Sequence, residues 1–452
     1  MEQNKTHKNV YLASLTNLAY FALGTCTGWT SPMMPRLRDA TADSPLKFGV
    51  GRMEEGWISS SIAIGALIGC PLAGPLANRV GRKWALLFSA FSYAVAYFLF
   101  LQANTIWFLY VARGLQGIGV GLTCTVMPIY VSEITTDTNR GPIASLMTLF
   151  MLSGTLFVYG IGIFMTYNQV QYSCLTIPII FFLIFFFMPE TPYFYAMKRR
   201  KSAAVKSLAF LRCKCPKDIE DEIRQIQSAV DADMSQKGTL PQILRNKPNR
   251  RAFFICVGLM AFQQLSGIDA VTYNIESIFM AAKSPLNPGV ASVVSVLGQI
   301  VANLITPLII ERLGRKMILM ISAIGMCLTL IVMGTFFYIE SSLEDSSVYR
   351  LIPIPALMLF SGMYAIGFSP LPWVVMSEVL PSNIKATVSS FSTTVGWIIT
   401  FVLIRFIPEF NAELYYAFWT FGGLCGLAFI FVLFVVIETK GLSLQEIQEK
   451  LS

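Results

Sequence analysis

Charge is what this sequence has least of. Asp, Glu, Lys and Arg make up 13% of its 452 residues, about half the share of an ordinary soluble domain. Together with 54% hydrophobic residues and a mean hydropathy of +0.60, this excludes a soluble protein and implies a chain that crosses the membrane many times. Also missing is a disulfide framework. Of the nine cysteines, Cys26, Cys70, Cys124, Cys174, Cys256, Cys327 and Cys425 sit in apolar segments, where free cysteine behaves as a small buried hydrophobe. Cys213 and Cys215 form a lone CxC in a basic loop, without the further ligands that a zinc site needs. No nucleophile–base pair, phosphate loop or metal cluster is visible, so neither an enzyme nor a cofactor or metal site is expected. A cleavable leader is not expected either: polar Met1–Asn9 runs straight into a full-length apolar span.

What is present is a series of long apolar runs. Twelve spans are predicted: about 11–32, 57–77, 84–102, 106–130, 142–166 and 172–188, then 252–280, 289–310, 317–339, 353–376, 386–408 and 414–437. The predicted fold is an all-α membrane protein with twelve transmembrane helices in two pseudo-symmetric six-helix halves. Its parts are a first half at 1–188, a polar loop at 189–251, a second half at 252–437 and a tail at 438–452. Lys201–Arg212 and Lys217–Val230 have helix-compatible composition, so short amphipathic helices on the membrane surface are expected in that loop.

The net charge of +8 is a topology signal and no sign of a nucleic-acid partner. Of 34 Lys and Arg, 26 lie in the tails and the even-to-odd loops, and the central loop alone holds 14. The opposite loops are short or charge-balanced, which predicts cytoplasmic termini. The one Asn-x-Ser/Thr site, Asn4, then stays unmodified. Lipid and a small molecule are the expected partners; no motif for an oligomer interface is visible.

Three motifs recur in order in both halves. Asn78-Arg79-Val80-Gly81-Arg82-Lys83 is answered by Glu311-Arg312-Leu313-Gly314-Arg315-Lys316. Ser132-Glu133 before Arg140 is answered by Ser377-Glu378 before Lys385, and Glu190-Thr191 by Glu438-Thr439. Parallel repeats of this kind build transporters that bind substrate at the repeat interface. The charges suit a latch between helix ends. Since exposed pairs contribute only about 0–1 kcal/mol each, only a network of them can bias an equilibrium. The alternative is that they set topology and anchor helix ends.

The most informative stretch is Gln263-Gln264-Leu265-Ser266-Gly267-Ile268-Asp269, inside the seventh span. Amides and a carboxylate at membrane depth need a polar cavity or a polar partner. They either hydrogen-bond a ligand with many hydroxyls or join helices to one another. In the fourth span Gly114, Gly117 and Gly121 have the spacing of close helix packing, and Arg113 requires partners in the bundle.

These residues carry a family resemblance. Arg113-Gly114, Pro128-Ile129-Tyr130-Val131-Ser132-Glu133, Gln263 to Asp269, Pro370-Leu371-Pro372-Trp373 and Glu438-Thr439-Lys440-Gly441 occur in order. With them the chain resembles the sugar porters of the major facilitator superfamily over nearly its whole length. Within that family it is most similar to the insect facilitated trehalose transporter-like proteins, on its compact first external loop, Gly28-Trp29-Thr30-Ser31-Pro32 and the fifth-span substitution below.

The resemblance implies facilitative transport of a sugar, trehalose or a hexose such as glucose, across the plasma membrane by alternating access. A proton-coupled symporter and a non-transporting sensor on the same fold are the alternatives. It implies substrate binding by Gln263, Gln264, Asp269 (for the family's asparagine), Gln299, Trp373, Trp397 and Thr148, which replaces a fifth-span glutamine. Gly396 replaces the asparagine before Trp397. Gating is implied at Tyr273 and Asn274. The latch comprises Arg79, Arg82, Lys83, Glu133, Arg140 and Glu190, with Glu311, Arg312, Arg315, Lys316, Glu378, Lys385 and Glu438. Asn78 and Tyr193 depart from the family's acid and arginine. Family symporters carry an acid in the first span, whereas Tyr11–Pro35 has none, which favours uniport. Asp269 and Glu276, seven residues apart on one helix face, keep proton coupling open.

Overall fold

The computed structural model describes residues 15–39, 44–135, 137–212, 214, 219–235, 245–340, 349–406, 414–442 and 444–451. Asn4, Cys213 and Cys215, and the side chains of Arg140 and Glu311, lie outside the described residues.

The regular elements among the described residues are helices. In order they are α1 (Leu18–Gly28), α2 (Thr30–Arg38), α3 (Arg52–Val80), α4 (Arg82–Leu101), α5 (Ile106–Ile134), α6 (Asp137–Phe164) and α7 (Tyr167–Phe186). The central loop carries α8 (Pro192–Met197), α9 (Lys201–Arg212) and α10 (Glu220–Ser235). Then come α11 (Lys247–Leu265), α12 (Ile268–Ala281), α13 (Pro288–Leu313), α14 (Arg315–Glu340), α15 (Pro353–Ile366), α16 (Leu371–Val379), α17 (Ser382–Phe406), α18 (Leu414–Phe434) and α19 (Leu444–Leu451). Among the described residues 11 helical stretches are long and apolar enough to cross a membrane. The predicted first span appears as α1 and α2 on either side of Trp29.

Three spans are broken, each for a local reason. The seventh divides into α11 and α12 at Ser266-Gly267, where Gly267 has φ +80°, a conformation that costs any residue with a Cβ. The tenth divides into α15 and α16 at Gly367 to Pro370, where Pro370 lacks the N–H to continue the ladder. The first runs on to Arg38, beyond the predicted end near residue 32. A helix that restarts at Thr30 places Pro32 in its first turn, where no backbone N–H is needed.

The chain forms two compact units. The first comprises residues up to 26, 61–154 and 168–237. Here α3 and α5 are in backbone contact: a Cβ on Gly117 would stand 2.0 Å from the Ile62 carbonyl oxygen and 2.8 Å from the Gly65 Cα. Gly121 packs likewise on Ala66 and Cys70, and the Gly114 carbonyl oxygen would stand 2.1 Å from a Cβ on Gly65, although a Cβ on Gly114 itself would find open space. The apolar core of this unit joins α4, α5 and α7 through Leu86, Val126, Tyr130, Phe181 and Phe185. The central-loop helices pack on a small cluster of their own around Leu208, Ile219 and Ile223. Arg212 anchors them, pairing with Glu222 at 2.9 Å and donating to the Ile134 carbonyl at the end of α5.

The second unit comprises residues 27–60, 155–167 and 238–452. Its core runs through α11 to α18, with Leu259, Phe279, Leu319, Phe360 and Val375 all buried. The short α19 is fastened back by two bonds: Arg251 donates to the Leu451 carbonyl, and Gln448 to that of Val379.

Candidate functional site

The charged motifs fold into two equivalent clamps, one in each unit. In the first, Gly81 takes φ +111° and turns the chain into α4. Glu190 then accepts hydrogen bonds from the backbone N–H groups of Arg82 (3.0 Å), Lys83 (3.1 Å) and Thr191 (2.9 Å). In the second, Gly314 makes the same turn into α14. Glu438 accepts from the N–H groups of Arg315, Lys316, Thr439 and Lys440 at 2.9–3.0 Å. A carboxylate aimed at the first N–H groups of a helix satisfies donors that have no partner inside it and meets the positive end of its dipole.

The two carboxyls differ electrostatically. Burial pushes Glu190 above its ordinary value, and its three backbone donors and Arg82 only partly counter that. Burial acts upward on Glu438 as well, but the donors from Lys440, Arg315, Lys316 and Thr439 outweigh it and hold the carboxyl below its ordinary value.

Each clamp carries one ion pair, Arg82–Glu133 at 3.0 Å and Arg315–Glu378 at 2.8 Å. Arg82 also donates to the Ala77 carbonyl and to Asn78 Oδ1, so the amide that stands in place of the family's acid accepts from the arginine. The lysines tie down helix ends: Lys83 Nζ donates to the Phe186 carbonyl and Lys316 Nζ to that of Leu433. Lys385 Nζ donates to the Ser377 carbonyl, while Arg79 and Arg312 are exposed. The latch residues thus assemble within the units as helix-end anchors.

The second group of residues gathers where the seventh and tenth spans break. Gln263 is buried, and its Nε2 donates to the carbonyls of Phe368 (2.7 Å) and Ser369 (3.2 Å). Those carbonyls lie between α15 and α16, where the interrupted ladder leaves acceptors to be satisfied. Gln264 lies beside Gly396 on α17. Its Oε1 is fully buried and accepts no hydrogen bond from the described residues. Asp269, in the first turn of α12, accepts from Thr400 Oγ1 at 3.1 Å.

The other expected ligands are less engaged. Trp373 on α16 is 43% exposed, and Trp397 and Gln299 are half-buried. Thr148, half-buried on α6, belongs to the first unit, and the rest to the second. Tyr273 and Asn274 are buried, Asn274 donating to the Ala270 carbonyl one turn back. Arg113 is fully buried in the first unit and donates to the Cys26 carbonyl and to Gln116 Oε1, both at 2.8 Å. These bonds tie α5 to α1 and fit a structural role.

Several participants were not singled out from sequence. In the second unit Ser31 Oγ accepts from the Glu276 N–H, and Tyr159 donates to the Thr272 carbonyl, so α2 and the end of α6 grip one turn of α12. Arg36 donates to the carbonyls of Gly162 and Met165 at the end of α6. Arg38 pairs with buried Glu55 at 2.7 Å. The available signal was two arginines on the side whose loops are otherwise short or charge-balanced, since isolated cations there imply specific acceptors. Thr400 had a weaker signal, standing one turn beyond Trp397.

Comparison with known proteins decides the family. The model of the family described as sugar (and other) transporter matches residues 16–451. The chain belongs to that family. Among curated relatives, the facilitated trehalose transporter Tret1 of Apis mellifera ligustica is 34% identical over 97% of this chain and 87% of its own length. Tret1 of Culex quinquefasciatus is 32% identical over 99% of this chain and 86% of its own. Among solved structures, the xylose transporter XylE from E. coli, in a partially occluded inward-open conformation, superposes with a TM-score of 0.80 at 19% identity. That superposition covers 96% of this chain and all of XylE, so the fold is that of the major facilitator transporters. As a multi-pass sugar-family transporter, the chain is not an enzyme.

Proposed function

We propose that this transporter carries a sugar down its gradient across the plasma membrane by alternating access, with both termini in the cytoplasm. Its substrate is trehalose or a hexose such as glucose, the first being what the named relatives are described as carrying. The observation that supports the reading best is Gln264: a buried amide oxygen without a donor among the described residues, beside two broken spans. Sugar hydroxyls are donors of the kind it needs. Asp269, five residues on, and Gln299 on α13 add acceptors, and exposed Trp373 offers a ring face for the apolar side of a sugar. Gln263 serves in part by holding the tenth-span break in shape. Thr148 and Trp397, the latter next in sequence to the Gly396 that lies beside Gln264, are further candidate sugar contacts, and Tyr273 and Asn274 are candidate gates. The two charged clamps keep each half rigid while it moves.

Proton coupling remains a second reading because of one observation: Asp269 is a carboxylate at membrane depth whose described partner is a single hydroxyl, Thr400.

Uptake of labelled trehalose and glucose into vesicles holding the purified protein tests both. Saturable flux with a pH-independent initial rate is expected, retained in Asp269→Asn. Binding without flux overturns transport, and flux driven by a proton gradient and abolished in Asp269→Asn overturns uniport.

A further inference from the structure

Beside the first charged clamp opens a cavity of about 350 Å³, walled by Arg79, Trp84, Glu190, Phe194, Lys198 and Arg200. All of these belong to the first unit. Glu190 is the one acid among them, and its oxygens are already taken by the N–H groups of Arg82, Lys83 and Thr191. Arg79, Lys198 and Arg200 form no ion pair among the described residues, and Lys198 Nζ lies over the Phe194 ring. Three cations therefore border one cavity with no available carboxylate to balance them. Like charges in this arrangement repel each other until an anion enters.

The turn after α8 sets up this geometry. Arg199 takes φ +55°, and the N–H groups of Arg199 and Arg200 return to the carbonyls of Ala196 and Tyr195. That closes the helix in the manner usually given to glycine and sends Lys198 and Arg200 to the cavity. The second half provides an internal contrast. It repeats the carboxylate clamp, but Met317 stands in the place of Trp84, and Lys440 Nζ is engaged by the Arg312 carbonyl. Among the described residues no counterpart of α8 stands between Glu438-Thr439 and α19. The clamp does not require the cavity. The cations around it are an addition.

We propose that this cavity is a binding site for a phosphate ester, with Arg79, Lys198 and Arg200 as its ligands. Guanidinium forks and an ammonium suit phosphate oxygens. Trp84, 52% exposed at the start of α4, stands where tryptophan marks the membrane interface, so the apolar part of a phospholipid would lie along it. The phosphate can come from a lipid headgroup or from a soluble ester, and one experiment separates the two.

The full-length protein, in phosphatidylcholine nanodiscs, is titrated with labelled dioctanoyl phosphatidylinositol 4-phosphate, with and without soluble inositol 1,4-bisphosphate as competitor. Each cation at such a surface changes affinity roughly fivefold, so Arg79→Gln/Lys198→Gln/Arg200→Gln should weaken binding on the order of 100-fold. Lys198→Gln alone should weaken it about fivefold, which covers the case of a triple variant that folds poorly. The control, Lys201→Gln/Lys206→Gln/Lys450→Gln, should bind as the parent does. Resistance to the soluble competitor assigns the site to lipid, and displacement assigns it to a free phosphate ester; either supports the proposal. Equal binding by parent and triple variant, equal weakening in the control, or no binding by the parent overturns it.

Discussion

Replacing Gln263 by leucine separates a structural amide from a ligand-binding one. Leucine roughly keeps the volume and removes the donor that Phe368 and Ser369 share at 2.7 and 3.2 Å. An ordinary interhelical hydrogen bond in a bilayer contributes on average about 0.6 kcal/mol. Here the acceptors are main-chain carbonyls at a helix break, buried where water does not replace the donor. Leaving such a group unsatisfied costs about 1–3 kcal/mol. The shorter bond should account for most of that and the longer one for a fraction, giving about 2 kcal/mol, or a fall of several degrees in the unfolding midpoint. Gln263→Glu should fall further, because it sets carboxylate oxygens against carbonyl oxygens. Thermal unfolding of the purified protein in detergent, with and without saturating trehalose, reads both roles. Stability should drop without sugar, and the added stabilisation by sugar, which follows affinity, should shrink but persist. A leucine variant within about 0.5 kcal/mol of the parent, no more than an ordinary bilayer hydrogen bond, would refute the assignment of this amide to the tenth-span break.

Trp373→Ala should weaken sugar binding by about three- to tenfold, the range of one aromatic stacking contact, while barely moving the unfolding midpoint, because the ring is 43% exposed; equal losses of both would mark it as a packing residue. Gly267→Ala should destabilise by about 2–4 kcal/mol, adding left-handed strain to overpacking, since its Cβ would stand 2.7 Å from the Phe421 ring; an unchanged midpoint would contradict that geometry. The clamp carboxyls should differ in pH response. Glu438, held below its ordinary value, adds stability above that value and loses it as the pH falls through the folded value. Glu190, pushed upward, carries a penalty that appears as the pH rises through its raised value. Glu438→Gln should therefore lower the midpoint at pH 7 more than Glu190→Gln, with the Glu438→Gln difference closing on acidification, as unfolding scans from pH 8 to pH 4 would record.

The sequence was most legible where a signal is summed over many residues. Hydropathy over some twenty positions located the spans, and the repeat of Arg-x-Gly-Arg-Lys paired the halves. The breaks at Ser266-Gly267 and Gly367 to Pro370 fall on glycine and proline, which act on their own backbone. What stayed hidden depends on side chains meeting carbonyls far away in sequence. Gln263 looked like a ligand residue, since nothing near it indicates that the carbonyls of Phe368 and Ser369 lack donors. The first span runs on to Arg38, past its expected end near residue 32, because the helix restarts at Thr30 and so holds Pro32 in its first turn.

The two carboxylate clamps have a consequence for mutational scans of this transporter. Glu190 and Glu438 grip main-chain N–H groups, which any residue except proline supplies. Alanine or charge reversal at Arg82, Lys83, Arg315 or Lys316 removes an ion pair or an anchor and leaves the clamp closed. Proline at Lys83 or Lys316 deletes a donor outright. A scan that includes proline will therefore register the donor positions of these junctions as sensitive, whereas alanine at the same positions leaves the clamp's hydrogen bonds in place.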